Sequence, residues 1–174
     1  MALLIARAEH EALLRYTLDL LAENPDDELS LANVAQAYLL CGDLDQAASY
    51  YGQVSSLLIG WLNNSLVWNW SYPHALNYAN TQAQLGRAGE FEDLLAKCVS
   101  LVEALQEEGI ANPEIQYVRA AIHALHDKNA EALAALREAR SQGWRRAWWA
   151  CRDPNLAGIA KDGAFTALLD SVSA

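Results

Sequence analysis

Residues 31–54 read LANVAQAYLLCGDLDQAASYYGQV, and the spacing within them decides the fold. Leu31, Val34 and Tyr38 stand at i, i+3 and i+7, with the small Ala35 at i+4. A helix with that face lets a second helix approach closely. Gly42 suits the left-handed end of the first helix, and Asp43 suits the cap of the next. Ala47, Tyr51 and Val54 then answer from one face of the second helix. The stretch predicts a helical hairpin with a tight turn.

The pattern returns twice in weaker form. One copy runs through Tyr78, Leu85, Gly89-Glu90-Phe91, Leu94 and Leu101. The other runs through Tyr117, Ala120, Ala121 and Ala124, then Ala132, Leu136 and Ala139. Together these segments resemble the tetratricopeptide repeat family, whose period is about 34 residues. The resemblance implies an all-α fold, a right-handed α-α superhelix of stacked hairpins with about three repeats and capping helices. It also implies a module that holds other proteins. Gly42 to Gly89 is 47 residues and Gly89 to Asp127 is 38, so the register is irregular.

One domain over 1–174 is expected, in three parts. Residues 1–27 form an N-terminal helix, drawn as one long helix over Leu3–Glu23 with Leu13, Leu14, Leu18 and Leu21 among its apolar residues. Asn24-Pro25-Asp26-Asp27 stops it, because proline disfavours helix in the residue before it and aspartate starts the next. Residues 28–142 carry the repeats, the first over about 28–60, with an insertion at 61–73. Residues 143–174 close the chain.

The insertion includes WLNNSLVWNWSY over 61–72. Asn63-Asn64-Ser65 reads as a turn and Ser71-Tyr72-Pro73 as the entry to a helix. Trp61, Trp68 and Trp70 either pack against neighbouring helices or stand out as aromatic anchors for a partner. In the closing segment, Gly143-Trp144-Arg145-Arg146-Ala147-Trp148-Trp149 leads into Asp153-Pro154. Asp153 can cap a helix that starts at Pro154, and Asp162 precedes a run with Phe165, Leu168, Leu169 and Val172 on one face. The segment resembles the end of many bacterial repeat proteins and reads as a lid on the last hydrophobic face, with a ligand role for Trp148 or Trp149 as the other option.

Composition narrows the function. The 53 % apolar content, rich in Ala and Leu, favours helix over sheet. No stretch reaches the ~18 uninterrupted apolar residues of a membrane span. Arg7 and Glu9 interrupt the apolar start, and no positive region precedes it, so no signal peptide is expected and the cytosol is the expected compartment. Cys41, Cys98 and Cys151 form no CxxC pair and read as reduced, buried or half-buried thiols. The net charge of −10 disfavours nucleic acid. Residues 1–60 hold nine acids and two bases, whereas 115–174 hold six acids and eight bases. Arg137, Arg140, Arg145, Arg146 and Arg152 make a basic end suited to an acidic partner or to the acidic half of another copy, unless they are simply a solvated surface.

No HExxH, GxSxG, phosphate-binding or dinucleotide motif occurs, so no catalytic residue, cofactor or enzymatic role is expected. His123 and His126 lie one turn apart after Arg119, but too few acids accompany them for a metal site to be expected. Recognition is the better use. In the family the first helix of each pair lines a groove, and equivalent positions here are Asn33, Asn80 and Arg119, then Gln36, and then Arg87 and His126. With His123 these make the expected partner-binding set. Family members that clamp a carboxylate tail use Lys, Asn and Arg; Asn80 and Arg119 match, while Ala32 and Ile115 replace the lysines. The expected function is therefore a non-catalytic protein–protein interaction module, a scaffold or adaptor for a peptide or partner helix. The alternative is a C-terminal regulatory or self-assembly domain of a larger bacterial signalling or transcription-regulator protein, with a homo-oligomer as its product.

Overall fold

Every buried carbonyl at a helix end needs a donor, and the chain meets that need repeatedly in the same way. At Ala8, Gly42, Gly86, Gly109, Asp127 and Gly143 the backbone takes a positive φ. At each, that residue's N–H donates to the carbonyl three residues back, and the next N–H donates to the carbonyl five back. Gly42 donates to Leu39 and Asp43 to Tyr38, both at 3.0 Å. This left-handed cap ends a helix and turns the chain.

The computed structural model describes residues 1–62 and 68–170; the side chains of residue 59 and of residues 61–71 lie outside that description. The described residues are all-α: eleven α-helices and one 3-10 turn, with no strand. No described helix is long and apolar enough to cross a membrane. The chain resolves into two compact units, Met1–Cys98 and Val99–Ala174.

The first unit opens with α1 (Ala2–Ala6) and α2 (His10–Glu23), which correct the single helix expected over Leu3–Glu23. Ala8, at φ +56°, breaks it and lets Ile5 turn into the core. The stop at Asn24-Pro25-Asp26-Asp27 stands as expected, and Asp27 caps α3 (Glu28–Cys41) by accepting the Ser30 N–H at 2.7 Å. Asp43 caps α4 (Leu44–Gln53) by accepting the Gln46 N–H at 3.2 Å. A break at Val54 separates α4 from α5 (Ser55–Leu62). The core gathers Ala32, Ala35, Tyr51, Val54 and Leu58, with Leu31, Tyr50 and Tyr78 at its edge. The alanines bring α3 and α4 close, and Tyr51 fills the space beyond them.

α6 (Trp68–Gln84) starts before the entry expected at Ser71-Tyr72-Pro73, so Pro73 sits inside the helix and forgoes one backbone hydrogen bond. The expected turn at Asn63-Asn64-Ser65 lies outside the described residues. The second hairpin turns at Gly86-Arg87 rather than at Gly89, which is already the second residue of α7 (Ala88–Glu107). Gly86 wins because its backbone adopts the left-handed conformation and the cap closes there. The division between the units falls within α7.

α6 buries an unusually polar face, with His74, Asn77, Asn80, Thr81 and Gln82 all inside. The Thr81 hydroxyl donates to the Asn77 carbonyl at 2.7 Å. The His74 ring lies 6.4 Å from Tyr51, and its Nδ1 has no hydrogen-bond partner among the described residues.

In the second unit, Asn112 caps α8 (Pro113–Leu125) by accepting the Glu114 N–H at 2.9 Å. α8 packs along α9 (Asn129–Ser141), and Tyr117, Ala120, Ala121, Ala124, Ala132, Leu136 and Ala139 are all buried. The chain then makes α10 (Ala147–Ala150), a 3-10 turn (Pro154–Leu156) and α11 (Gly163–Asp170). Asp153 thus caps a three-residue turn rather than a full helix. Phe165 and Leu169 are buried, Leu168 is half-buried, and Val172 lies outside the described residues.

A polar knot holds this closing segment. The Tyr117 ring stacks on Trp144 at 4.8 Å, and its hydroxyl donates to Asp153 Oδ2 at 2.6 Å. Asn155 donates to Asp153 Oδ1 through its backbone and its side chain at 2.9 and 2.8 Å. Burial raises the Asp153 pKa, opposed by its bonds to Tyr117, Asn155 and Trp149. Arg140 donates to the Leu168 carbonyl, tying α11 to α9.

The cysteines depart from expectation: Cys98 is buried, but Cys41 and Cys151 are exposed, and all three are free. Burial pushes the Cys98 thiol up to about 12.

Burial pushes the His74 pKa down from 6.5 to about 4. In acid the unfolded chain therefore takes up a proton that the native state refuses. Stability is full above pH 6.5 and falls as pH drops from there towards 4, by roughly 3 kcal/mol at the end of that window. Urea unfolding across pH 4 to 7 checks this, and His74→Phe is expected to remove that share of the slope.

Candidate functional site: the exposed stripe of α8

α8 buries one side against α9 and the closing segment. Its other side carries Gln116, Arg119 and His123, each half-buried and about one turn apart. Arg119 and His123 form a wall common to two clefts. One, of about 200 Å³, has Val99, Val102, Glu103 and Gln106 of α7 opposite Arg119, Ile122 and His123. The other, of about 400 Å³, has Glu131, Ala134, Ala135 and Glu138 of α9 opposite Gln116, Arg119 and His123. A third hollow of about 520 Å³ lies around the turn between α7 and α8 and shares Gln106 and Gln116 with them. Asn112 and Gln142 add further amides there.

The site is chemically mixed. One Arg119 nitrogen donates to Gln116 Oε1 at 3.2 Å, and no carboxylate lies within ion-pair distance of it among the described residues. His123 has a lowered pKa, first from burial and then from Arg119, with Glu131 opposing. It is therefore mainly neutral at pH 7 and can accept or donate a hydrogen bond. Apolar patches from Val99, Val102, Ile122, Ala134 and Ala135 lie between the polar groups.

The structure treats the expected residues unequally. Asn33, Gln36, Asn80 and Arg87 belong to the first unit, and Arg119, His123 and His126 to the second. Gln36 is 4 % exposed and Asn80 is 6 % exposed, so neither presents an open groove position. Gln36 is enclosed because α3 packs against α2, α4 and α6, and Asn80 because it falls on the buried polar face of α6. Asn80 accepts from Gln84 at 3.0 Å. Asn33 is half-buried. Arg87 is exposed in the turn after α6 and donates to Gln82 Oε1 at 3.1 Å. His126 ends α8, its N–H bonded to the Ile122 and His123 carbonyls. The side chains of Trp61, Trp68 and Trp70 lie outside the described residues. Among the described residues no three His, Cys, Asp or Glu side chains gather as metal ligands.

Sequence reasoning missed the flanks: Glu103 and Gln106 on α7, and Glu131 and Glu138 on α9. The available signal was the seven-residue spacing of Glu131 and Glu138, which places both on one helix face.

No family model, curated protein or solved structure matches the chain.

The polar knot and the α8 stripe are expected to separate cleanly on substitution. Tyr117→Phe leaves the buried Asp153 short of a donor and is expected to cost about 1 to 3 kcal/mol. Arg119→Ala removes only a half-buried bond to Gln116 and is expected to stay within about 0.5 kcal/mol of the parent. Urea midpoints of the two variants check both.

Proposed function

We propose that the chain is a non-catalytic interaction module that holds a peptide or partner helix along α8 in its second unit. One observation carries this reading: Arg119 and His123 stand one turn apart on a wall shared by two clefts, framed by amides and apolar patches. Glutamine and asparagine side chains suit the backbone groups of a bound segment, because each offers both a donor and an acceptor. Arg119 suits a carbonyl or carboxylate at the centre. The apolar intervals suit side chains at the spacing of a helix or an extended peptide.

A tetratricopeptide-like repeat, which we infer from turn spacing, points the same way. The turns at Ala8 and Gly42 are 34 residues apart, as are those at Gly109 and Gly143. That is the family period. The three free cysteines fit a reducing cytosol.

Affinity capture from the source cell's lysate, with the intact chain beside Arg119→Ala/His123→Ala, tests the proposal. A protein retained by the intact chain and lost by the folded double variant is the expected result. A peptide from it is then expected to bind the variant at least about tenfold more weakly, as removal of a central contact does. Equal retention by both proteins would refute the α8 site.

A further inference from the structure

The first unit bears charge that its own fold does not use. Of the chain's net −10, residues 1–98 contribute −8 and residues 99–174 contribute −2. Within the first unit, Asp19 and Glu23 sit near the C-terminal end of α2, where the helix dipole disfavours acids, and no base occupies that last turn. They are also a like-charge pair at i and i+4. Asp26 follows, exposed, in the turn. Asp27 earns its place as the cap of α3, but the described structure gives Asp19, Glu23 and Asp26 no ion pair or hydrogen bond. Tyr16 lies on the same face of α2, three residues before Asp19, and is 43 % exposed. The surface is therefore an acidic edge with an aromatic platform.

The second unit bears the complementary surface. Arg145 and Arg152 are exposed around α10, and their only partners among the described residues are main-chain carbonyls, which leave the charge uncompensated. Arg146 is different, because it pairs with Glu114. Trp148 stands between them, 43 % exposed. It is held edge-on by Trp149 at 6.2 Å, and Trp149 is itself hydrogen-bonded to the buried Asp153. An exposed tryptophan flanked in sequence by arginines has the composition of an interface anchor.

We propose that copies of this chain associate head to tail, the Arg145–Trp148–Arg152 surface of one docking on the Tyr16–Asp19–Glu23–Asp26 edge of another. The occupant is a second copy because both surfaces are on the same chain and match in charge and in aromatic content. At physiological salt the Debye length is about 8 Å, so repulsion between two net-negative bodies is screened while contacting charges still attract. The two patches differ, so the contact is heterologous and propagates into chains or rings. It leaves the α8 stripe untouched and stands or falls apart from it.

Sedimentation velocity at about 0.1 M salt, over a concentration series, tests the proposal. The parent chain is expected to grow in mass with concentration and to revert in high salt. Arg145→Glu/Arg152→Glu and Asp19→Lys/Glu23→Lys are each expected to stay monomeric, with helix content confirmed by circular dichroism. Their equimolar mixture pairs the intact surfaces and also sets the reversed charges opposite one another, so association is expected to return. Trp148→Ala, at an exposed position, is expected to weaken association by about tenfold even if a charge-swap variant misfolds. A parent chain that stays monomeric throughout overturns the proposal, as does a folded pair of swaps whose mixture fails to associate. Binding of monomer to phosphatidylserine vesicles through Trp148, in place of self-association, would overturn it in favour of a lipid surface.

Discussion

The fold depends on how its helices end. A helix that runs on exposes its apolar face, and one that ends without donors buries bare carbonyls. Among the described residues, six left-handed caps with the same pair of hydrogen bonds resolve that conflict. Two occur at residues other than glycine, Ala8 and Asp127, where the backbone accepts a left-handed conformation that side chains disfavour. The reversals at Gly42 and Asp127 let neighbouring helices pack through alanines, as Ala32 and Ala35 do beside Tyr51. The closely packed helix pairs, and the face of α8 left open, follow from where those turns fall.

Buried polarity is handled differently in the two units. In the second, Asp153 is surrounded by donors from Tyr117 and Asn155, so a carboxylate that burial penalises still fixes the path of the closing segment. In the first, His74 stays neutral beside Tyr51. The same low-dielectric interior strengthens the satisfied knot and makes protonation of His74 expensive. Gly158 marks where the closing segment lies against α8: an added Cβ would stand in van der Waals contact with the Ala124 carbonyl at 3.4 Å.

Much of this was legible from residue order. The 31–54 hairpin, the Gly42-Asp43 turn and the buried alanines of α8 and α9 follow from local periodicity and cap chemistry, which short-range sequence encodes. The break at Ala8 was not legible, because alanine is a helix former and only the tertiary burial of Ile5 rewards the reversal. The sequence points to Gly89 because the Gly-Glu pair imitates the Gly42-Asp43 pair, whereas the left-handed backbone sets the turn at Gly86. Arg119 and His123 were legible as a polar stripe on one helix. Their flanks on α7 and α9 were not, since helix packing rather than sequence spacing brings Glu103 and Glu131 beside them. The burial of Gln36 and Asn80 was missed for the converse reason: a polar side chain reads as exposed unless its helix is known to be covered on that side.

The proposed function rests on α8 as the surface that meets another protein. A photo-crosslinking amino acid at Gln116, which lines the cleft facing α9 and the hollow beside it, tests this most directly, with the same group at the exposed Thr166 of α11 as reference. Irradiation in the source cell's lysate is predicted to yield a discrete adduct with a protein other than the chain itself from position 116 and none from 166. Adducts of equal yield from both positions, or none from 116, would contradict the account.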